Sequence, residues 1–197
     1  MNNLLNYFTE MLDKSKPEFN NRPNQCILGV DGKQYWISRS PAVVAVVFAI
    51  HKDNIFVMAE KRSSKMEDSP NKWAVPSGYL DWDETGSEAV ERELWEELKF
   101  FKLKYDSHLI ADNDEQPFYV NTNPTENRQN VALTYGYVYD FSDSLTLPKL
   151  CKSDEVSITQ WIPIDRVKNS EMYDWAFSHD DRIEMAVTYF KKYLQEI

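Results

Sequence analysis

Apolar and polar positions alternate along this chain in two periods, and the changes between them mark out the elements. Leu4, Leu5, Phe8, Met11 and Leu12 keep helical spacing and predict a short amphipathic helix that Pro17 ends. Residues 26–30 and 34–38 then flank Asp31-Gly32, a strong hairpin signal. After Pro41 comes Ala42 to Ile50, a β-branched run without a polar break, which predicts a strand covered on both faces. A turn at 51–54 leads into a second strand, Ile55 to Ala59.

A polar loop with Lys61, Arg62 and Lys65 follows, read as solvated loop or as a grip for phosphate oxygens. Trp73 to Leu80 predicts a short strand punctuated by Pro76 and Gly78, the glycine letting backbone approach a ligand. Thr85 and Glu88 form a capping box that starts a helix near Gly86 and carries it to about Leu98. Beyond it, residues 101–105 and 108–111 predict a strand region, 121–130 a long polar loop, and 131–139 and 158–162 two further strands. A last helix presents Ile183, Ala186, Val187, Phe190 and Leu194 on one face. Sheet segments with two main helices predict an α/β fold with a mixed sheet.

With 197 residues the chain is expected to form one globular unit, residues 1–39 being an N-terminal helix-and-hairpin extension of a domain at 40–197. A net charge of −10 and a pI near 4.8 argue against nucleic acid or an anionic membrane surface as partner. They leave room for a small anionic ligand if a metal and a few cations neutralise it locally. Cys26 and Cys151 stand far apart, in neither disulfide-framework nor zinc-ligand spacing. No stretch has the length of a membrane span or the layout of a signal peptide, so a cytoplasmic protein is expected.

The helix at 86–98 changes the picture most. At about 100° per residue, Glu93, Glu96 and Glu97 share one face with Ala89, beside the apolar stripe of Val90, Leu94 and Leu98. Glutamates on a helix are commonly just a solvated face. Here, however, Glu93 and Glu97 repel at i, i+4, and only Arg92 and Lys99 stand nearby to offset the acids at 91, 93, 96 and 97. A divalent cation would turn that repulsion into attraction, and hard oxygen donors suit Mg²⁺ or Mn²⁺.

Gly78, five residues, Glu84, seven residues, then Arg92-Glu93-Leu94-Trp95-Glu96-Glu97-Leu98-Lys99-Phe100 resemble the signature of the Nudix hydrolases. That pattern is Gly-x5-Glu-x7-Arg-Glu-U-x-Glu-Glu-x-Gly-U, with U bulky and aliphatic. Two positions depart from it: Lys99 stands at the second glycine and Phe100 at the last aliphatic. The resemblance implies an α/β/α sandwich that cleaves a nucleoside diphosphate linked to another group, water attacking phosphorus. It also implies Mg²⁺, or Mn²⁺, held by Glu93, Glu96 and Glu97 with Glu84 near it, and Arg92 orienting a glutamate.

In some members of the family an acid six residues before a tryptophan serves as general base or extra metal ligand, a position that Glu155 ahead of Trp161 resembles; Glu126 and Glu115 are rivals. Arg62, Trp73, Gly78 and Tyr119 are the candidate substrate contacts, Tyr119 lying 19 residues past the box. Residues 175–179 are loosely similar to a Phe-Asp-His element of some ADP-ribose-type members. ADP-ribose, a nucleotide sugar or a dinucleotide is therefore favoured over a nucleoside triphosphate.

The alternative is a non-catalytic relative that senses an ADP-ribose-like ligand, although such a protein would be expected to lose a glutamate of the box. The isopentenyl diphosphate isomerase branch needs an active-site cysteine, and neither cysteine here occupies such a place. Homodimerisation through the N-terminal helix and hairpin is a further expectation.

Overall fold

A computed structural model describes residues 25–36, 41–123 and 130–194. The expected helix at 4–12 and the candidate base Glu126 lie outside these residues. The hairpin forms from β1 (Cys26–Leu28) and β2 (Gln34–Trp36), paired antiparallel. Gly32 takes the positive φ of 78° that the turn requires, and Asp31 accepts hydrogen bonds from the Lys33 amide and the Tyr35 hydroxyl.

The main sheet is built on β3 (Pro41–His51), the predicted unbroken apolar run. Its order is β10-β4-β3-β9-β7, where β4 is Asn54–Arg62, β7 Leu109–Asp112, β9 Val131–Asp140 and β10 Val156–Pro163. Three short strands attach beside this path: β5 (Trp73–Ala74) on β4, β6 (Ser77–Tyr79) on β3 and β8 (Tyr119–Asn121) on β9. Among the described strands only the β3–β9 pairing is parallel, so the sheet is mixed as expected.

Why β3 has no polar break is visible in its two faces. Val43, Ala45, Val47 and Ala49 pack with Ala89, Val90, Leu94 and Leu98 of helix α1 (Gly86–Leu98). Val44, Val46, Phe48 and Ile50 pack with Ile183 and Ala186 of α2 (His179–Tyr189), and with Phe190 and Leu194 around the short α3 (Lys191–Leu194). The result is an α/β/α sandwich. Each fully buried Val or Leu of the α1 stripe stabilises it by roughly 1.5–3 kcal/mol.

Three local expectations are corrected. Lys61 and Arg62 continue β4 instead of starting a loop, because β10 pairs with both and β5 pairs with Lys61. Residues 102–108 form a 3-10 helix, not a strand; Phe100 is anchored in the core, and Tyr105 folds back to stack on it at 4.9 Å. The last helix is broken at Phe190, which leaves helical geometry at φ −93°, ψ 15°. Among the described residues, no helix is long and apolar enough to cross a membrane.

Candidate active site

Helix α1 is delivered to the site by its two ends. At the start, the Thr85 hydroxyl accepts from the Glu88 amide while the Glu88 carboxylate accepts from the Thr85 amide, completing the predicted capping box. At the end, Lys99 adopts the left-handed conformation (φ 56°, ψ 29°). Its amide bonds to the Trp95 carbonyl and that of Phe100 to the Leu94 carbonyl, the paired bonds of a Schellman termination. Lysine thus holds a glycine's geometry, and Phe100 replaces an aliphatic residue by filling the core with an aromatic ring. Lys99→Gly is expected to stabilise the protein by about 1 kcal/mol, read as a higher midpoint in urea at unchanged slope.

Arg92 is the hub of the cluster. Its Nε and Nη2 bind both oxygens of Glu84 at 3.1 and 2.8 Å, and Nη2 also donates to the Tyr79 carbonyl at 2.8 Å. Nη1 donates to Glu93 at 2.6 Å and Glu96 at 3.1 Å. All five guanidinium N–H groups are therefore used. Burial pulls the Arg92 pKa down, but the bonds to Glu84 and Glu93 outweigh it and hold the group above its ordinary value. Glu84, which also accepts from the Asp81 amide at 2.6 Å, spends both oxygens in locking Arg92 between β6 and α1.

Three carboxylates lie buried together, Glu93 bonded to this hub and Glu97 and Glu60 close to it in turn. Gly78 makes room for Glu93. A Cβ at position 78 would fall 1.9 Å from a Glu93 oxygen, so any larger residue there would displace this carboxylate from its place beside Arg92. Glu97 accepts from the Ser77 amide at 3.1 Å. Glu60, from β4, leaves its Oε2 with no hydrogen-bond partner.

Burial pushes Glu60 up to about 8 against the pull of Arg62, and Glu93 up to about 7 against that of Arg92. Glu97 is raised well above the usual carboxylate range by burial and then by Glu60 and Glu93. Glu96 is half exposed at the rim. Glu155, exposed on the loop before β10, stands close enough to raise all three buried acids.

A cavity of about 910 Å³ opens over this cluster. Its wall includes Gly78, Arg92, Glu93, Glu96, Glu97 and Glu155 at one end, Phe177, His179 and Arg182 from the α2 side, and Arg62 between the two. Arg62 donates from Nε to the Asp68 carbonyl at 3.1 Å and lies over the Phe177 ring at 5.2 Å. His179 is buried and accepts from the Val75 amide at Nδ1, which leaves its proton on Nε2. Burial and the nearby Arg182 and Arg62 hold it down to about 3, so the ring is neutral.

Two expected contacts do not line this cavity. Trp73 is core, packed edge-on against Tyr173 at 5.2 Å. Tyr119 lies under the Arg182 guanidinium at 5.6 Å and borders a separate outer hollow instead. Glu115 is exposed and also away from the cavity. Conversely, His179 and Arg182 line the cavity and Glu60 lies beside Glu97, although the sequence assigned no part to Glu60 or Arg182 and marked His179 only through the loose element at 175–179.

The family profile described as NUDIX domain matches residues 38–182, most of the chain and all of the residues just described. The chain belongs to the Nudix hydrolase family. A search of curated proteins matches nothing. Solved structures similar to it share the fold at low identity. The Nudix domain of Shewanella oneidensis NrtR, complexed with ADP ribose, is 21% identical over 78% of this chain and 90% of that one, with a TM-score of 0.53.

A C. elegans Ap4A hydrolase in a binary complex is 14% identical over 80% of this chain and 99% of its own, at 0.57. A bifunctional NMN adenylyltransferase/ADP ribose pyrophosphatase from Francisella tularensis, complexed with AMP and a Mn ion, is 17% identical over 98% of this chain and 47% of its own, at 0.52.

Can this Nudix site take a divalent ion? Among the described residues, no three acidic, histidine or cysteine side chains converge as a ready-made cage. Mg²⁺ does not need one, since it keeps several waters and binds through one or two carboxylates plus substrate phosphate. The orphaned Glu60 oxygen, and three mutually repelling buried acids of which only Glu93 is bonded to Arg92, fit such a hard cation.

Proposed function

We propose that this Nudix hydrolase is a Mg²⁺- or Mn²⁺-dependent pyrophosphohydrolase acting on a nucleoside diphosphate joined to another moiety. ADP-ribose, a nucleotide sugar or a dinucleotide is favoured over a nucleoside triphosphate. The observation that carries this reading is the buried pair Glu93 and Glu97, which line the cavity beside Gly78, with Glu93 bonded to Arg92 and the buried Glu60 close to Glu97. A cavity of about 910 Å³ also has the volume for a ligand with moieties on both sides of a diphosphate.

Glu93, Glu96 and Glu97 are the side chains that would hold the ion, with Glu60 as a further oxygen donor. When bound, the ion neutralises the diphosphate and lowers the pKa of water. Glu84 and Arg92 fix Glu93 and Glu96 in place. Arg62, along the wall, meets the diphosphate oxygens. Glu155, at the mouth, takes the proton of the attacking water as the new P–O bond forms and the bridging P–O bond breaks, its electron pair leaving on the departing phosphate. His179, neutral with Nε2–H, donates a hydrogen bond to substrate and carries no charge to compete with the cation.

A panel of ADP-ribose, nucleotide sugars, dinucleoside polyphosphates and nucleoside triphosphates, each with Mg²⁺ or Mn²⁺, tests the proposal by released phosphate after phosphatase coupling. Turnover confined to the first three groups is expected. Tight binding of ADP-ribose without turnover of anything would instead identify a sensor.

The raised carboxylates also predict a pH dependence of stability. Free glutamate titrates near 4.5, so Glu60 and Glu93 bind more protons folded than unfolded. Their contribution is complete below 4.5 and is lost as pH rises through about 7 and about 8. His179 acts in the opposite direction, but only below 6.5, its unfolded value. Between pH 6.5 and 9 the protein in EDTA should therefore lose thermal stability as pH rises, while added Mg²⁺ should raise the melting temperature more at pH 8.5 than at 6.5. Equal Mg²⁺ shifts at both values would contradict the assignment.

A further inference from the structure

The far end of the cavity holds a buried cation that has no counter-ion among the described residues. Arg182, in the first turn of α2, is 5% exposed and lines the cavity. One Nη donates to the Thr134 hydroxyl at 3.1 Å, and the guanidinium lies against Tyr119 at 5.6 Å. Its buried Nε has no hydrogen-bond partner, and among the described residues no carboxylate pairs with it. A buried guanidinium left this way is unfavourable until an anion meets it. Arg92, at the other end, has every N–H group occupied.

The sheet sets the distance between these two ends. Val44 of β3 pairs with Ser77 on one side and with Thr134 on the other. Ser77 binds Glu97 and Thr134 binds Arg182, so the two anchor points stand two strand spacings apart, roughly 10 Å. Arg182 therefore meets the group attached to the diphosphate, not the phosphate under attack. Arg62 and His179 stand close by, and the Asn121, Asn123 and Asn130 side chains complete a wall of neutral polar groups.

We propose that Arg182 is a specificity-determining residue that binds a second anionic group on the substrate, borne by the moiety remote from the hydrolysed bond. The substrate class is thus a nucleoside diphosphate derivative with an extra negative charge, either a phosphomonoester on a ribose or a carboxylate on a sugar. Tyr119 holds the guanidinium from behind and shapes the subsite through it. This inference rests on the hydrolase reading of the same cavity.

The test uses matched substrate pairs with Mg²⁺: ADP-ribose 2′-phosphate against ADP-ribose, and UDP-glucuronate against UDP-glucose. A charge-assisted bond to one anion predicts that one anionic member exceeds its neutral partner in kcat/KM by roughly 10- to 100-fold, mainly through KM. The pair showing the difference identifies phosphate or carboxylate as the group.

In Arg182→Gln the ratio should fall to near 1, and in Arg182→Lys to an intermediate value. No preference in either pair, or an undiminished one in both variants, would overturn the proposal. If no member is turned over, the hydrolase reading fails instead. Calorimetric affinities of the same pairs then decide the role of Arg182 by the same ratios.

Discussion

Glu97→Gln is expected to reduce turnover by roughly two to four orders of magnitude while leaving the metal-free protein as stable as the parent or more so. Both outcomes come from one feature. Glu97 is buried next to Glu60 and Glu93, and its charged form is opposed by burial and by both neighbours. An amide of the same shape keeps the Ser77 N–H bonded and removes the charge, so folding no longer works against it. What is lost is a charged oxygen donor for the ion. Steady-state rates with Mg²⁺ and thermal melts in EDTA separate these effects. A variant that is inactive because it is unfolded would contradict the account, as would one with parental activity.

Arg92→Ala should destabilise the fold by about 3–5 kcal/mol, the usual cost of removing one partner from a buried charge network. Glu84 and Glu93 have side chains no more than about a tenth exposed, and both take strong bonds from this guanidinium. The Tyr79 carbonyl loses its partner as well. Arg92→Lys restores one charge but not the fork that grips both Glu84 oxygens, so only part of the stability should return. Urea unfolding of the three proteins measures the order, parent above lysine above alanine. A loss under about 1 kcal/mol for alanine would mean that Arg92 is a surface ion pair with no structural role.

Much of the candidate site was legible because it is local. Glu93, Glu96, Glu97 and Arg92 lie on one helix, the capping box marks its start, and helical period alone places the acids on one face. Gly78 and Glu84 precede that helix closely enough for fixed spacing to carry them. The unbroken run in β3 likewise foretold a strand with two covered faces, which packing against α1 and α2 bears out.

What was not legible depends on tertiary contact. Glu60 continues the face of Met58 toward α1, so a period-2 reading carried one residue past Ala59 would have exposed a charged group pointing into the core layer. Reading the strand as ended at Ala59 hid it. His179 and Arg182 reach the cavity only because α2 crosses back over β9 and β3, about eighty residues after the box, and the loose element at 175–179 touched only His179 and gave no sign of Arg182. Trp73 misled in the opposite direction. It was a candidate substrate contact, but β5 pairs with β4 and the ring packs against Tyr173.

Lys99 illustrates how departure from a pattern can coexist with the geometry behind it. The left-handed termination is present, and its cost is offset by Phe100, whose ring meets Tyr105, Tyr139 and Trp161 in the core. The lysine amine also bonds the Glu96 carbonyl at 3.1 Å.

The most direct test of the central claim is hydrolysis of ADP-ribose in ¹⁸O-labelled water with Mg²⁺, followed by mass spectrometry of the products. Water attack at phosphorus predicts AMP and ribose 5-phosphate, with one ¹⁸O atom in the phosphoryl group of one of them and none in the other. Unchanged ADP-ribose held by the protein, or products with no label on phosphorus, would contradict it.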